Sequence, residues 1–325
     1  MSGASPVGRE VLRLGTRASA LALHQAQLVA RELERDGRTR VELVHISTKG
    51  DRSSAPIEQL GGVGVFTTAL REALLAKEVD IAVHSYKDLP TDRGAGPDSR
   101  VDELTIAAVP PREVAHDVLV TASGTGLAEL PAGACLGTSA PRRIAQLRAA
   151  RPDLVCVPLR GNVDTRLEKV ASGQLDGVVL AAAALARLGR EDVITEHLSI
   201  ETMVPAPAQG ALAVECRALD TSLTALLSTM DDLFTRATVR AEREVLAALE
   251  GGCLAPLGAY GRLIPGAQGA EHFRLLGAVV SMDGARALRR SVDVPYQELV
   301  TDAATVGGAL AAALLDAGAA TLIGV

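Results

Sequence analysis

Three arginine-bearing turns, one lysine–aspartate turn and one glycine-flanked cysteine hold the residue types in this sequence that could do chemistry. The arginine turns are Gly15-Thr16-Arg17-Ala18-Ser19, Gly137-Thr138-Ser139-Ala140-Pro141-Arg142-Arg143 and Leu159-Arg160-Gly161-Asn162-Val163-Asp164-Thr165-Arg166. Each follows an apolar strand-like run, and Arg187 lies just beyond a fourth. Arginine presents a planar fork of donors that matches a carboxylate or phosphate bidentately, so several converging forks imply a ligand with several acidic groups. Any one of these arginines taken alone reads as a solvated surface residue; the repetition in three turns is what argues for a site. A nucleotide fits less well. Gly61-Gly62-Val63-Gly64 lacks the Lys-Ser/Thr of a P-loop, and no G-x-G-x-x-G opens a helix after a strand.

The segment His84-Ser85-Tyr86-Lys87-Asp88-Leu89-Pro90 ends another strand-like run. Asp88 is the candidate acid/base: a carboxylate in a partly dry cleft can hold a developing positive charge or exchange a proton. The same residues also describe a surface turn before proline, and spacing alone does not separate the two. His84 reads as a packed strand residue rather than a ligand. Cys253 follows Gly251-Gly252 and precedes Leu254-Ala255-Pro256. Glycine beside it leaves the sulfur approachable, and nearby arginines would favour a nucleophilic thiolate; a small buried hydrophobe is the alternative. Cys135, Cys156, Cys216 and Cys253 contain no C-x-x-C pair, which argues against zinc and against a disulfide framework, so no metal is expected.

The elements that must position these residues alternate between β-type runs and helical periods, the pattern of a mainly parallel sheet covered by helices. Strands are expected over Val11–Gly15, Val41–Ser47, Asp80–His84 and Thr105–Val109, with helices over 19–36 and 66–77. Ser19 is the expected N-cap of the first helix and Gly37 its stop. After Pro110-Pro111 a second, similar set begins, with strands near 118–120, 135–138, 154–158 and 177–180. The strand Ala211–Cys216 is expected to return to the first sheet, leaving crossing segments near 110 and 206 as a hinge. A long helix from Thr235 to Glu250, strands near 257–263 and 273–281, and an Ala-rich helix over 303–317 form a small α+β region. In such sheets ligands sit outside the C-terminal strand ends, where helix N-termini also attract anions.

The expected organisation is α/β: residues 1–110 with 206–230 as domain 1, 111–205 as domain 2, and 231–325 as an α+β domain 3. A chain of 325 residues with 48% apolar but only 2% aromatic content must build these cores from Ala, Val, Leu and Ile. The net charge of −6 argues against a nucleic-acid partner. No secretory h-region is present, and the longest apolar runs stop at Arg187 and Asp316, short of the roughly 18 residues of a membrane span. A cytoplasmic location follows, and monomer is the expected state because no apolar heptad or interface patch stands out.

At these residues the chain resembles the hydroxymethylbilane synthase (porphobilinogen deaminase) family, from about Leu12 to the C-terminus. The resemblance rests on R-L-G-T-R-A-S at 13–19, H-S-Y-K-D-L-P at 84–90, G-T-S-A-P-R-R at 137–143, L-R-G-N-V-D-T-R at 159–166, P-A-P-A-Q-G at 205–210 and G-G-C at 251–253. It implies two periplasmic-binding-protein-like α/β domains and a third α+β domain. It also implies a transferase that condenses four porphobilinogen molecules head to tail, with loss of four ammonia, on a covalent dipyrromethane cofactor, and then hydrolyses off the linear product. By the resemblance Cys253 carries the cofactor by thioether, and Lys87, Ser85, Thr138, Ser139, Arg142, Arg143, Arg160 and Arg166 bind it. Asp88 is then the catalytic carboxylate, and Arg17, Ser19, Arg187 and Gln209 hold incoming substrate. Val63 stands where many members have a lysine, and Pro141 replaces a commoner apolar residue before the arginine pair. A non-catalytic, two-lobed carboxylate-binding protein is the competing reading, and porphobilinogen would separate the two.

Overall fold

The structure is a computed structural model that describes residues 10–35, 37–47, 67–91, 103–249, 255–266 and 271–323. Cys253 and the glycine-rich segment around Val63 lie outside the described residues. The chain forms two compact units, the first from residues 1–84, 93–110 and 212–231, the second from 85–92, 111–211 and 232–325.

In the first unit, strands β1 (Glu10–Thr16), β2 (Thr39–His45), β3 (Ile81–Ser85), β4 (Leu104–Ala108) and β10 (Leu212–Arg217) form one sheet in the order β2-β1-β3-β10-β4. β1 runs parallel to β2 and β3, and β10 antiparallel to β4. The strand after the second crossing thus returns to the first sheet, as its sequence position implies. Helix α1 (Ala20–Glu34) begins because Ser19 is extended and its hydroxyl accepts from the Ala22 amide at 3.3 Å. It buries Ala26, Val29, Ala30 and Leu33, a three-and-four spacing that lays one apolar stripe on the sheet. Helix α2 (Thr68–Leu75) adds Leu70, Ala73 and Leu74 to the core.

The second unit repeats the pattern. Strands β5 (Asp117–Thr121), β6 (Cys135–Gly137), β7 (Val155–Val157), β8 (Gly177–Ala181) and β9 (Glu196–His197) take the order β7-β6-β8-β5-β9. β6 is parallel to β7 and β8, whereas β5 is antiparallel to β8. β5 follows the first crossing and fills the slot that β10, the strand after the second crossing, fills in the other sheet. Helices α3 (Pro141–Ala150), α4 (Val163–Ala171) and α5 (Ala182–Arg187) follow β6, β7 and β8. Two small turns of chain, Thr221–Leu227 (α6) in the first unit and Tyr296–Thr301 (α8) in the second, were not foreseen from periodicity.

The C-terminal α+β portion packs α7 (Leu233–Ala248) and α9 (Ala303–Asp316) on an antiparallel meander of β11 (Leu257–Pro265), β12 (Glu271–Val280) and β13 (Ala287–Pro295). Phe273 is fully buried at its centre. Gly261 lies against it so closely that an added Cβ would stand 2.3 Å from the ring, which explains glycine at that strand position.

Candidate active site

β5 opens on an acid, Asp117, whose side chain is fully buried. Pro141 is the first residue of α3, where its fixed φ and missing N–H cost nothing, and the two residues after it reach back to that acid. Arg142 Nη1 donates to Asp117 Oδ2 at 2.7 Å; Arg143 donates to Oδ1 from Nε at 2.9 Å and from Nη2 at 2.6 Å. Both arginines are buried, and each also holds a backbone carbonyl, Val204 O for Arg142 and Val179 O for Arg143. Burial alone would raise the Asp117 carboxyl; the charges of Arg142 and Arg143 and their hydrogen bonds instead hold it far below the usual carboxylate range.

A fourth donor on Asp117 is Gln209 Nε2, at 3.1 Å, which also reaches Ala115 O at 2.7 Å. With its nitrogen so committed, Gln209 presents Oε1 to Lys87 Nζ at 3.2 Å. Burial lowers the Lys87 ammonium to about 8, with Arg143 and Arg142 adding repulsion and Asp88 and Asp117 opposing it. Lys87 and Asp88 lie in a single 3₁₀ turn, Tyr86–Asp88, directly after β3; Asp88 is exposed, Ser85 and Lys87 half-buried.

The turns after β6 and β7 are joined by Ser139, whose hydroxyl donates to Leu159 O at 3.0 Å and accepts from Leu159 N at 2.8 Å. Thr138 Oγ1 accepts from the Ala140 amide at 3.3 Å. Asn162 caps α4 by accepting from Thr165 N at 2.8 Å, and on the first turn Arg166 Nε donates to Gly161 O at 2.9 Å. Burial, then the charges of Arg143 and Arg160, push Arg166 down to about 10, so these three guanidiniums act in one field. At the end of α5, Arg187 is buried and donates to Gly210 O at 2.6 Å, while its Nε has no hydrogen-bond partner among the described residues; burial lowers it to about 10 against the pull of Glu113.

Lys87, Asp88, Thr138, Ser139, Arg142, Arg143, Arg160, Arg166, Arg187 and Gln209 all belong to the second unit, as does Ser85. Arg17 and Ser19 belong to the first, where Arg17 is half-buried and Ser19 caps α1. His84 is buried in the first unit with Nε2 at 3.0 Å from Glu215, as a packed strand residue should be.

Sequence reasoning missed three residues that organise the second unit. Asp117 showed itself only as an acid opening an otherwise apolar strand. Glu242, on the buried face of α7, takes both Nη atoms of Arg112 at 2.7 and 3.0 Å, together with the amides of Ala208 at 2.7 Å and Gly261 at 2.8 Å. Ala208 has φ +61°, a left-handed backbone that needs such support. The third, Arg243, meets the Lys87–Asp88 turn.

Cations so exceed carboxylates in this cluster that its chemical complement is a ligand with several acidic groups. Comparisons agree. A family model described as "Porphobilinogen deaminase, dipyromethane cofactor binding domain" matches residues 12–225, and "Porphobilinogen deaminase, C-terminal domain" matches 236–316. Porphobilinogen deaminase 1 of Streptomyces coelicolor is 50% identical over 319 residues, covering 97% of this chain and 98% of that protein. Porphobilinogen deaminase of Mycobacterium tuberculosis is 54% identical over 285 residues, covering 86% and 89%. Among solved structures, a putative methionine-binding lipoprotein of Bacillus subtilis aligns with a TM-score of 0.41 at 14% identity, covering 69% of this chain and 90% of that one.

Proposed function

This chain belongs to the porphobilinogen deaminase family, and on that premise we propose that Asp88 is its catalytic carboxylate and the cations around Asp117 its binding field. The protein is a transferase, a hydroxymethylbilane synthase, that joins four porphobilinogen molecules head to tail on a dipyrromethane cofactor, releases four ammonia and hydrolyses off the linear product.

The residues present fit that cofactor. Its rings bear acetate and propionate groups, and the second unit buries Arg142 and Arg143 against the single carboxylate of Asp117 and buries Arg187 as well, whose Nε has no hydrogen-bond partner among the described residues. That surplus of buried positive charge is the observation that carries the reading. Bound, the cofactor supplies the pyrrole carbon to which the first substrate ring is joined.

Cys253 is the proposed thioether attachment. Lys87, Ser85, Thr138, Ser139, Arg142, Arg143, Arg160 and Arg166 are the proposed cofactor contacts, and Arg17, Ser19, Arg187 and Gln209 hold the incoming ring. Arg143 spends three bonds on Asp117 and Val179, and a guanidinium has five N–H donors in all, so a carboxylate can still be bound without breaking the pair. Each condensation breaks the aminomethyl C–N bond, forms a C–C bond and frees one proton from the attacked ring carbon. Asp88 holds the positive charge that builds on the incoming pyrrole as ammonia departs, an electrostatic role suited to a carboxylate presented at the tip of a turn, and then takes the proton. For organisation we propose three domains, 1–110 with 206–230, 111–205 and 231–325; a separate core of residues from Ala237 to Leu322 supports the third.

The test is intact mass and turnover together. Wild-type protein should carry the added mass of a dipyrromethane, and Cys253→Ser should lack it. Asp88→Ala should keep the fold and lose nearly all ammonia release from porphobilinogen. An unmodified, active wild type, or normal turnover in Asp88→Ala, would overturn the assignments.

A further inference from the structure

The turn that carries Lys87 and Asp88 is short. It is closed by the Leu89 amide on Tyr86 O at 3.2 Å, and a lone 3₁₀ turn does not hold its own geometry in water. Its outside support comes from α7. Arg243 Nη1 donates to Tyr86 O at 3.1 Å and Leu89 O at 3.0 Å, and Nη2 donates to Pro90 O at 2.6 Å. The same guanidinium lies 4.7 Å from the centroid of the Tyr86 ring, a stacked cation–π geometry. One planar fork therefore grips the carbonyls on both sides of Lys87 and Asp88, adding a second donor to Tyr86 O and a donor to the Leu89 and Pro90 carbonyls that follow the turn. Further anchors are Leu89, only 1% exposed, the Tyr86 amide on Ala211 O at 3.0 Å, and Lys87 Nζ on Gln209 Oε1 at 3.2 Å. All of these residues lie in the second unit.

We propose that Arg243 is a positioning residue for the condensation: by clamping the carbonyls of Tyr86, Leu89 and Pro90 and stacking on Tyr86, it fixes where the Asp88 carboxylate stands beside Lys87. The inference rests on Asp88 being the catalytic carboxylate. Lysine cannot replace the clamp fully, because an ammonium is a point donor and cannot bridge three carbonyls while lying flat on a ring. Misplacing a catalytic group by about 1 Å costs on the order of 100-fold in rate, so the effect belongs in kcat rather than in substrate binding.

Arg243→Leu, Arg243→Lys, Asp88→Asn and the double variant Asp88→Asn/Arg243→Leu are purified, checked by intact mass for the dipyrromethane, and assayed for kcat and KM with porphobilinogen. The expected result is a loaded Arg243→Leu enzyme with kcat down about 10- to 100-fold and KM within about threefold of wild type, and an Arg243→Lys enzyme between the two. In the Asp88→Asn background Arg243→Leu should add little, because the group it positions has gone. If Arg243→Leu fails to fold, the same comparison is made with Arg243→Lys. Multiplying losses in the double variant, or an unchanged kcat in a folded Arg243→Leu, overturn the positioning role alone. Wild-type turnover in Asp88→Asn overturns the Asp88 assignment and this inference with it.

Discussion

The two five-stranded sheets share one strand order and treat charge in opposite ways. In the first, Glu215 is gripped by Arg71 at 2.9 Å and His84 at 3.0 Å. Asp80 is gripped by Arg13 at 2.9 Å and Arg217 at 3.1 Å, and Arg217 also reaches Asp220. Three arginines there meet three carboxylates. In the second, Asp117 is, among the described residues, the carboxylate paired with both Arg142 and Arg143, with Lys87 and Arg166 also in the arginines' field. Equal topology gives two crops of helix N-termini and strand-end turns; unequal charge balance decides which of them needs an anion from outside. A buried cation without a counter-charge costs several kcal/mol, and a chain tolerates that cost where a ligand removes it.

The sharpest way to break this contrast is to remove the central acid from each sheet. Asp117→Ala strands two buried guanidiniums, and we expect about 3–5 kcal/mol of lost stability by urea unfolding together with loss of the bound dipyrromethane by mass. Glu215→Gln keeps the shape and one acceptor, and Arg71 retains some solvent access; about 1.5–3 kcal/mol is expected, with the dipyrromethane retained. A larger loss from Glu215→Gln than from Asp117→Ala would mean that the second sheet is not the charge-strained one.

The same contrast explains what was legible in the sequence. The arginine turns, the Ser19 cap and the return of β10 are local or topological signals, written in spacing and strand order. Asp117 was not legible as an anchor, because its partners Arg142 and Arg143 lie 25 and 26 residues away. Arg243 grips carbonyls more than 150 residues earlier, a pairing that no window shows. β13 was missed for another reason: most of Ala287–Pro295 is exposed or half-exposed, so the paired arginines within it mask any alternation. Reading Arg142 and Arg143 only as ligand forks overlooked that buried cations recruit an internal acid first.

A smaller effect should appear with pH. Burial lowers Lys87 from 10.5 to about 8, so between about 8 and 10.5 the unfolded chain binds a proton that the folded chain has released. Protein without cofactor, such as Cys253→Ser, should therefore gain stability as pH rises through that window. A cofactor carboxylate placed beside Lys87 raises its value again, so uptake of dipyrromethane by cofactor-free protein should weaken over the same range. Loading of cofactor-free protein with dipyrromethane, followed by intact mass from pH 7 to 10, should fall in the wild-type sequence and fall less in Lys87→Arg. Identical profiles would remove Lys87 from the binding field and narrow the difference between the sheets.

The smallest effects test whether local geometry, rather than charge, separates the sheets. Each has a strand-end turn that ends in a capping side chain: Ser19 accepts from Ala22 N at 3.3 Å, and Asn162 accepts from Thr165 N and from Thr165 Oγ1, both at 2.8 Å. If charge balance is the distinguishing feature, the caps should be of similar worth, and Ser19→Ala and Asn162→Ala should each cost about 1 kcal/mol by thermal unfolding. Asn162 should differ in one respect. Arg166 stands on the first turn of the helix it caps and donates back to Gly161 O, so loosening that turn also moves a guanidinium of the cationic cluster. Asn162→Ala should then raise KM for porphobilinogen by a few-fold beyond what its stability loss explains, and Asn162→Gly, which costs a cap only a few tenths of a kcal/mol, should raise it less. Equal KM in the two Asn162 variants would detach Arg166 from the cap and leave its placement to Gly161 alone.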